Sequence, residues 1–141
     1  MSLPNPYAQY RQTQAVTASQ VKLIIMLHDG AIRSLQQAAA ATEAHDLEKM
    51  ALHYNKASDI IGHLGSSLRP DTGEIARNLG QIYLYCLQKI LQANASEDSS
   101  IARELIGHLR PLRDAWDQVE RMKAGVNPET SPEKLDLSFA A

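Results

Sequence analysis

Five histidines, one cysteine and a row of arginines are the residues of this chain that could do chemistry. His28, His45, His53, His63 and His108 could hold a metal or move protons if two of them shared a helix turn with a carboxylate. None forms a His-Glu-x-x-His or similar pair, so no metal site is expected. His63-Leu64-Gly65-Ser66-Ser67 sets an imidazole before a Gly-Ser pair, a setting for phosphoryl transfer. The glycine follows too soon for the usual spacing, and no acidic cleft-forming set accompanies it. Cys86 stands alone, which excludes an internal disulfide and any multi-cysteine metal site. Its apolar surroundings predict a buried small hydrophobe rather than a reactive thiol. Arg103, Arg110, Arg113 and Arg121 are interleaved with Glu104, Asp114, Asp117 and Glu120, the pattern of a solvated face. With no Gly-rich phosphate loop, paired catalytic carboxylates or nucleophile motif, no catalytic residue, cofactor or enzymatic activity is expected.

The elements that carry these residues are helical. Nothing alternates with period two, whereas apolar residues recur at spacings of 3 and 4 in each long segment. Residues 1–16 lack this period, and Pro4 and Pro6 hold the backbone extended, which predicts an N-terminal arm. Thr17 and Gln20 match a capping box that opens helix 1, over about 18–43, with the stripe Val21, Ile24, His28, Ala31, Leu35, Ala38. Asp46 caps helix 2, about 47–68, with Leu47, Met50, Tyr54, Ala57, Ile61, Leu64 and Leu68 in register. After a turn at Arg69–Gly73, helix 3 spans about 74–94 and carries Ile75, Leu79, Ile82, Cys86, Ile90 and Ala93. Ser96 or Asp98 caps helix 4, about 99–123, with Ile101, Leu105, Leu109, Leu112, Trp116 and Val119. Pro111 inside it predicts a kink near Gly107. Residues 125–141 read as a mobile tail, or as a short docking peptide ending in Leu135–Phe139. Short loops force neighbouring helices to run in opposite directions. The expected fold is therefore all-α: an antiparallel four-helix bundle over 17–124, flanked by an arm and a tail.

Two of these helices carry more apolar surface than one core uses. Leu23–Leu27 is continuously apolar in helix 1, and Ile82–Leu87 in helix 3. A bundle helix normally shows one apolar stripe and a polar back. Leu23 and Leu27 fall roughly 120° from the core stripe of helix 1 at about 100° per residue. On helix 3 a second row comprises Ala76, Gly80, Tyr83, Leu84, Leu87 and Leu91, where Ala76 and Gly80 would leave a depression beside Tyr83. Either the core takes wider stripes than one per helix, an account that fits helix 3 less well, or the surplus marks a partner-binding site, since a groove beside apolar ridges is how one helix accepts another. Tyr7 and Tyr10 of the arm are amphipathic anchors able to cover it. Burying each yields roughly 1.5–3 kcal/mol, against about 10–20 kcal/mol for ordering ten backbone residues. Such an arm is displaceable.

Composition agrees with a binding role. A net charge of −2 provides no field to attract nucleic acid or an anionic membrane. The apolar runs are too short to cross a bilayer, and no signal peptide is visible, so the expected location is the cytosol.

In order along the chain, several segments resemble the flagellar secretion chaperone FliS family. Asn5-Pro6-Tyr7-x-x-Tyr10 is similar to its N-terminal arm. Val16–Ser19 followed by Leu23-Ile24-Ile25-Met26-Leu27-His28-Asp29-Gly30-Ala31 resembles its strongest motif. Lys56–Ile61, Gly73–Leu79, Ile82-Tyr83-x-Tyr85, Leu91–Asn94 and Leu112–Trp116 match the later helices. The departures are His28 in place of an aromatic, Gln20 in place of a helix-opening proline, and Pro111. The resemblance implies a cytosolic export chaperone without enzymatic activity. It would bind the disordered C-terminal segment of flagellin, prevent premature polymerisation and deliver the subunit to the export gate. The expected groove then includes Leu23, Leu27, Ala76, Gly80, Tyr83, Leu84, Leu87 and Leu91, with Tyr7 and Tyr10 as its cover. The protein would be a monomer or weak homodimer. Two alternatives remain from the residues alone: a bundle that homodimerises through helix 3, and a histidine phosphotransfer domain using His63.

Overall fold

A computed structural model describes residues 20–68 and 73–124. The expected arm, the expected cap Thr17, residues 69–72 of the expected turn and the segment 125–141 lie outside the described residues. Four helices account for nearly everything described: α1 (Gln20–Glu43), α2 (Leu47–Ser66), α3 (Glu74–Ser96) and α4 (Ser99–Ala124). Each packs on two others, in the cyclic order α1, α2, α3, α4. The chain reverses at each described loop. Glu43, at the end of α1, meets Arg103 and Ser99 at the start of α4, so those two helices run antiparallel.

The loops are built as their sequences dictate. His45 adopts a left-handed backbone (φ 58°) to end α1, and the Asp46 N–H then reaches the Ala41 carbonyl at 2.9 Å. The Asp46 carboxylate accepts from the Lys49 amide at 3.1 Å, satisfying an otherwise orphaned donor of α2. Glu97, also left-handed (φ 53°), ends α3 by donating its N–H to the Ala93 carbonyl. Of the two candidate caps for α4, Asp98 does the work, accepting from the Ser100 amide at 2.9 Å. The Ser100 side chain, and after it that amide, hold the Asp98 carboxyl below its ordinary value. The last helix is continuous through Pro111.

The core follows the 3-4 stripes. Every stripe residue of α1 is buried, and so are Met50, Tyr54, Ala57, Ile61, Leu64 and Leu68 from the second stripe. Cys86, Ile90, Leu105, Leu109, Trp116 and Val119 complete it from α3 and α4. Four expected core positions sit further out. Leu47 and Ile75, each in the first turn of its helix, are exposed, and Ile82 and Leu112 are half-buried against the core. Ala76 takes the inward place next to Ile75. Full burial of a leucine or isoleucine contributes roughly 1.5–3 kcal/mol, so the continuous cluster drives assembly.

Candidate functional site

The apolar surface left open lies on α3. Leu79, Tyr83, Cys86, Ile90 and Ala93 face the core at spacings of 4 and 3. One residue further round the helix, Gly80, Leu84, Leu87 and Leu91 form a second row. Leu84 is 54% and Leu91 74% exposed, while Leu87 is half-buried against the core. A groove of about 440 Å³ runs between the end of α2 and the first half of α3, where Leu68, Ala76, Arg77, Gly80 and Leu84 line it. Its floor is made of small residues. A Cβ at Gly80 would lie 3.5 Å from Leu68 Cδ1, and one at Gly65 would lie 3.7 Å from Tyr83 Cβ. Both distances are ordinary van der Waals contacts, so a methyl group would fit at either position and would partly fill the depression that the glycines leave open. Leu52 on α2 is a further exposed large apolar residue; it stands outside the stripe of its helix.

The expected surplus on α1 is enclosed. Leu23 and Leu27 are each 6% exposed. They line a small crevice with Gln20, Ile24, His63 and Leu64, at the junction of α1 and α2. The cause is position in the bundle: α1 makes its closest packing on two sides at once, with α2 and with α4, so its buried arc is wider than one stripe. Between Val21 and His28 only Lys22 and Met26 face outward. By contrast, α3 meets α4 along a thin contact, and its outer row stays bare.

Tyr83 is also inside, not on the rim of the groove. It is 1% exposed, and its hydroxyl lies 2.9 Å from His28 Nε2 across the bundle. His28 Nδ1 is 2.9 Å from the Ile24 carbonyl. A carbonyl can only accept, so Nδ1 carries the proton, and Nε2 accepts from Tyr83. Burial lowers the His28 pKa and raises that of Tyr83, which fixes both as neutral at pH 7. The expectation of His28 on the core face is met; its polar partner was not legible, since 55 residues separate the pair. The depression expected beside Tyr83 lies instead beside Leu84.

Charged groups tie the helices rather than serve a reaction. Arg113, expected on a solvated face, donates through Nε to Asp29 at 2.9 Å and joins α4 to α1. Between α3 and α4 the Tyr85 hydroxyl donates to Glu104, and His108 lies 3.3 Å from the same carboxylate oxygen. That carboxylate is held below its ordinary value chiefly by the Tyr85 hydrogen bond. His63 is half-buried in the α1–α2 crevice, and its carbonyl accepts from the Ser66 and Ser67 hydroxyls. Among the described residues no group of three His, Cys, Asp or Glu side chains could hold a metal ion. No helix there is long and apolar enough to cross a membrane.

Comparison with known proteins gives one family. The model of the flagellar protein FliS matches residues 3–123. The flagellar secretion chaperone FliS of Bacillus subtilis is 33% identical over 118 residues, 84% of this chain and 88% of the relative. That of Salmonella typhimurium is 37% identical over 116 residues, covering 80% of this chain and 86% of the relative. That of Vibrio cholerae is 37% identical over 108 residues, covering 76% and 79%. The chain therefore belongs to the FliS family of flagellar secretion chaperones, which are not enzymes.

Proposed function

We propose that this member of the FliS family is a cytosolic export chaperone whose client is flagellin. It binds the disordered C-terminal segment of flagellin, blocks premature polymerisation and hands the subunit to the export gate. The observation that carries this reading is the bare row Gly80, Leu84, Leu87, Leu91, set beside a groove floored by small residues. An amphipathic helix of the client would lay its apolar face there, with anchors at i, i+3, i+4 and i+7. From Ala76 to Leu91 the row is about 23 Å long at 1.5 Å per residue, enough for four turns of helix. Leu23 and Leu27 take part as the wall of the neighbouring crevice, where a client contact is shallow. Tyr7 and Tyr10 of the arm are the displaceable cover.

Calorimetry with a flagellin C-terminal peptide tests this. Leu84 and Leu91 are exposed, so a charge placed there leaves the fold intact. Leu84→Asp or Leu91→Asp is expected to weaken binding about 10- to 100-fold, the loss of one apolar anchor. Unchanged affinity in both variants removes the α3 row from the site. Leu27→Asp is no substitute, because it places a charge in the core. The same bare row could pair two copies of α3, and light scattering separates the readings. A chaperone is monomeric or weakly dimeric alone and forms a one-to-one complex with flagellin.

A further inference from the structure

We propose that Leu135-Asp136-Leu137-Ser138-Phe139, in the chain's own final segment, docks into the α2–α3 groove as a tethered competitor of the client. The inference rests on the reading of that groove as part of the client site.

Three observations select this occupant. The first is reach. The helices alternate in direction, so α4 finishes at the end of the bundle that holds the close of α2 and the start of α3. Residues 125–134 can extend about 33 Å at 3.3 Å each. The groove lies on the far side of one helix, α3, and a helix is about 10–12 Å across. A detour on the order of 20–25 Å is within that span.

The second is shape. Leu135, Leu137 and Phe139 alternate with Asp136 and Ser138, so an extended strand presents three apolar side chains on one face. Phe139 is the only phenylalanine of the chain. A flat ring suits a depression whose floor is Gly65, Ala76 and Gly80 and whose wall is Leu84.

The third is charge. Arg77 is the charged residue lining the groove, and it forms no ion pair with any described residue. Residues 125–141 contain Glu129, Glu133 and Asp136 against Lys134 alone. With Leu135 and Leu137 seated, Asp136 points outward to the rim where Arg77 stands. Residues 1–16 carry Arg11 and no acid, so the arm is mismatched to this groove. The arm enters at Gln20, which borders the α1–α2 crevice instead.

A docked segment reduces apparent client affinity by the fraction of time the groove is free. If the groove is free about a tenth to a third of the time, deleting residues 125–141 tightens flagellin binding about 3- to 10-fold.

The first test needs no flagellin. A nitroxide is attached to Ser138→Cys in the full chain; Cys86 is buried and does not compete for the label. The proposal expects strong paramagnetic broadening of the Arg77, Gly80 and Leu84 amides, lost when Phe139→Ser is added. Broadening confined to the last turns of α4, or indifferent to Phe139→Ser, overturns docking. Mixing labelled chain with a separate isotope-enriched chain must leave those amides sharp; broadening there overturns the tethered geometry. Flagellin titration of the chain lacking 125–141 is the second test. Broadening without any gain in affinity keeps the docking and overturns the competitor role. Loss of flagellin binding in Leu84→Asp is a separate matter and does not bear on the label experiment.

Discussion

Replacing both members of the buried His28–Tyr83 pair should cost far less than the two single replacements added together. In the native chain Nε2 of His28 accepts from the Tyr83 hydroxyl at 2.9 Å, with both side chains essentially inaccessible to water. Tyr83→Phe leaves Nε2 without a donor; His28→Phe leaves the tyrosine hydroxyl without an acceptor. A buried polar group so orphaned costs about 1–3 kcal/mol, whereas removing both partners is nearly neutral apart from shape. The larger Phe ring at position 28 strains the single and the double variant alike, so that cost cancels in the cycle. The expected coupling is the two orphaning costs together, about 2–6 kcal/mol, and each kcal/mol recovered is worth roughly 2–8 °C in Tm for a domain of this size.

The pair also has a pH signature whose sign follows from burial. His28 has a lowered pKa in the folded state, against an ordinary value of 6.5 in the unfolded chain. Above pH 6.5 neither state binds a proton there, and the full stability is present. As pH falls from 6.5 toward the lowered folded value, the unfolded chain takes up a proton that the folded one refuses. Stability then falls by up to about 1.4 kcal/mol per pH unit. Asp29 and Arg113 are the charges that act on His28, in opposite directions. Urea unfolding at pH 7.5, 6.5, 6.0 and 5.5 of the native chain, both single variants and the double variant measures cycle and slope together. Free energies that add to within about 0.5 kcal/mol, or a slope that survives in the double variant, would refute the assignment.

Burial pushes the Cys86 thiol up to about 12, so a disulfide-exchange reagent at pH 8 should label the folded chain only at its rate of opening, and the urea-unfolded chain at once. Glu97→Gly should raise stability by about 0.5–1 kcal/mol in thermal melts, because it relieves a left-handed backbone (φ 53°) at an exposed site. Asp29→Asn and Arg113→Ala should each lower stability by about 0.2–1 kcal/mol and should not be additive; a smaller effect in 1 M salt is expected for this half-buried pair.

Much of the fold was legible because its signals are local. The 3-4 apolar spacing fixed four helices to within about two residues at each described end, and Asp46 and Asp98 are caps because a short carboxylate can reach an amide two or three residues on. The outer row of α3 was legible too, since six consecutive apolar residues cannot share one face of a helix.

What the tertiary structure alone decided is where the neighbours stand. Period tells which residues lie together on a helix, not the angle at which the next helix arrives. That angle encloses Leu23 and Leu27, because α1 is flanked on two sides, and leaves Leu84 and Leu91 bare, because α3 meets α4 only thinly. It turns Tyr83 inward to His28 and brings Arg113 to Asp29 across 84 residues of chain. Such pairings depend on distances between helices, and no spacing along the sequence encodes them.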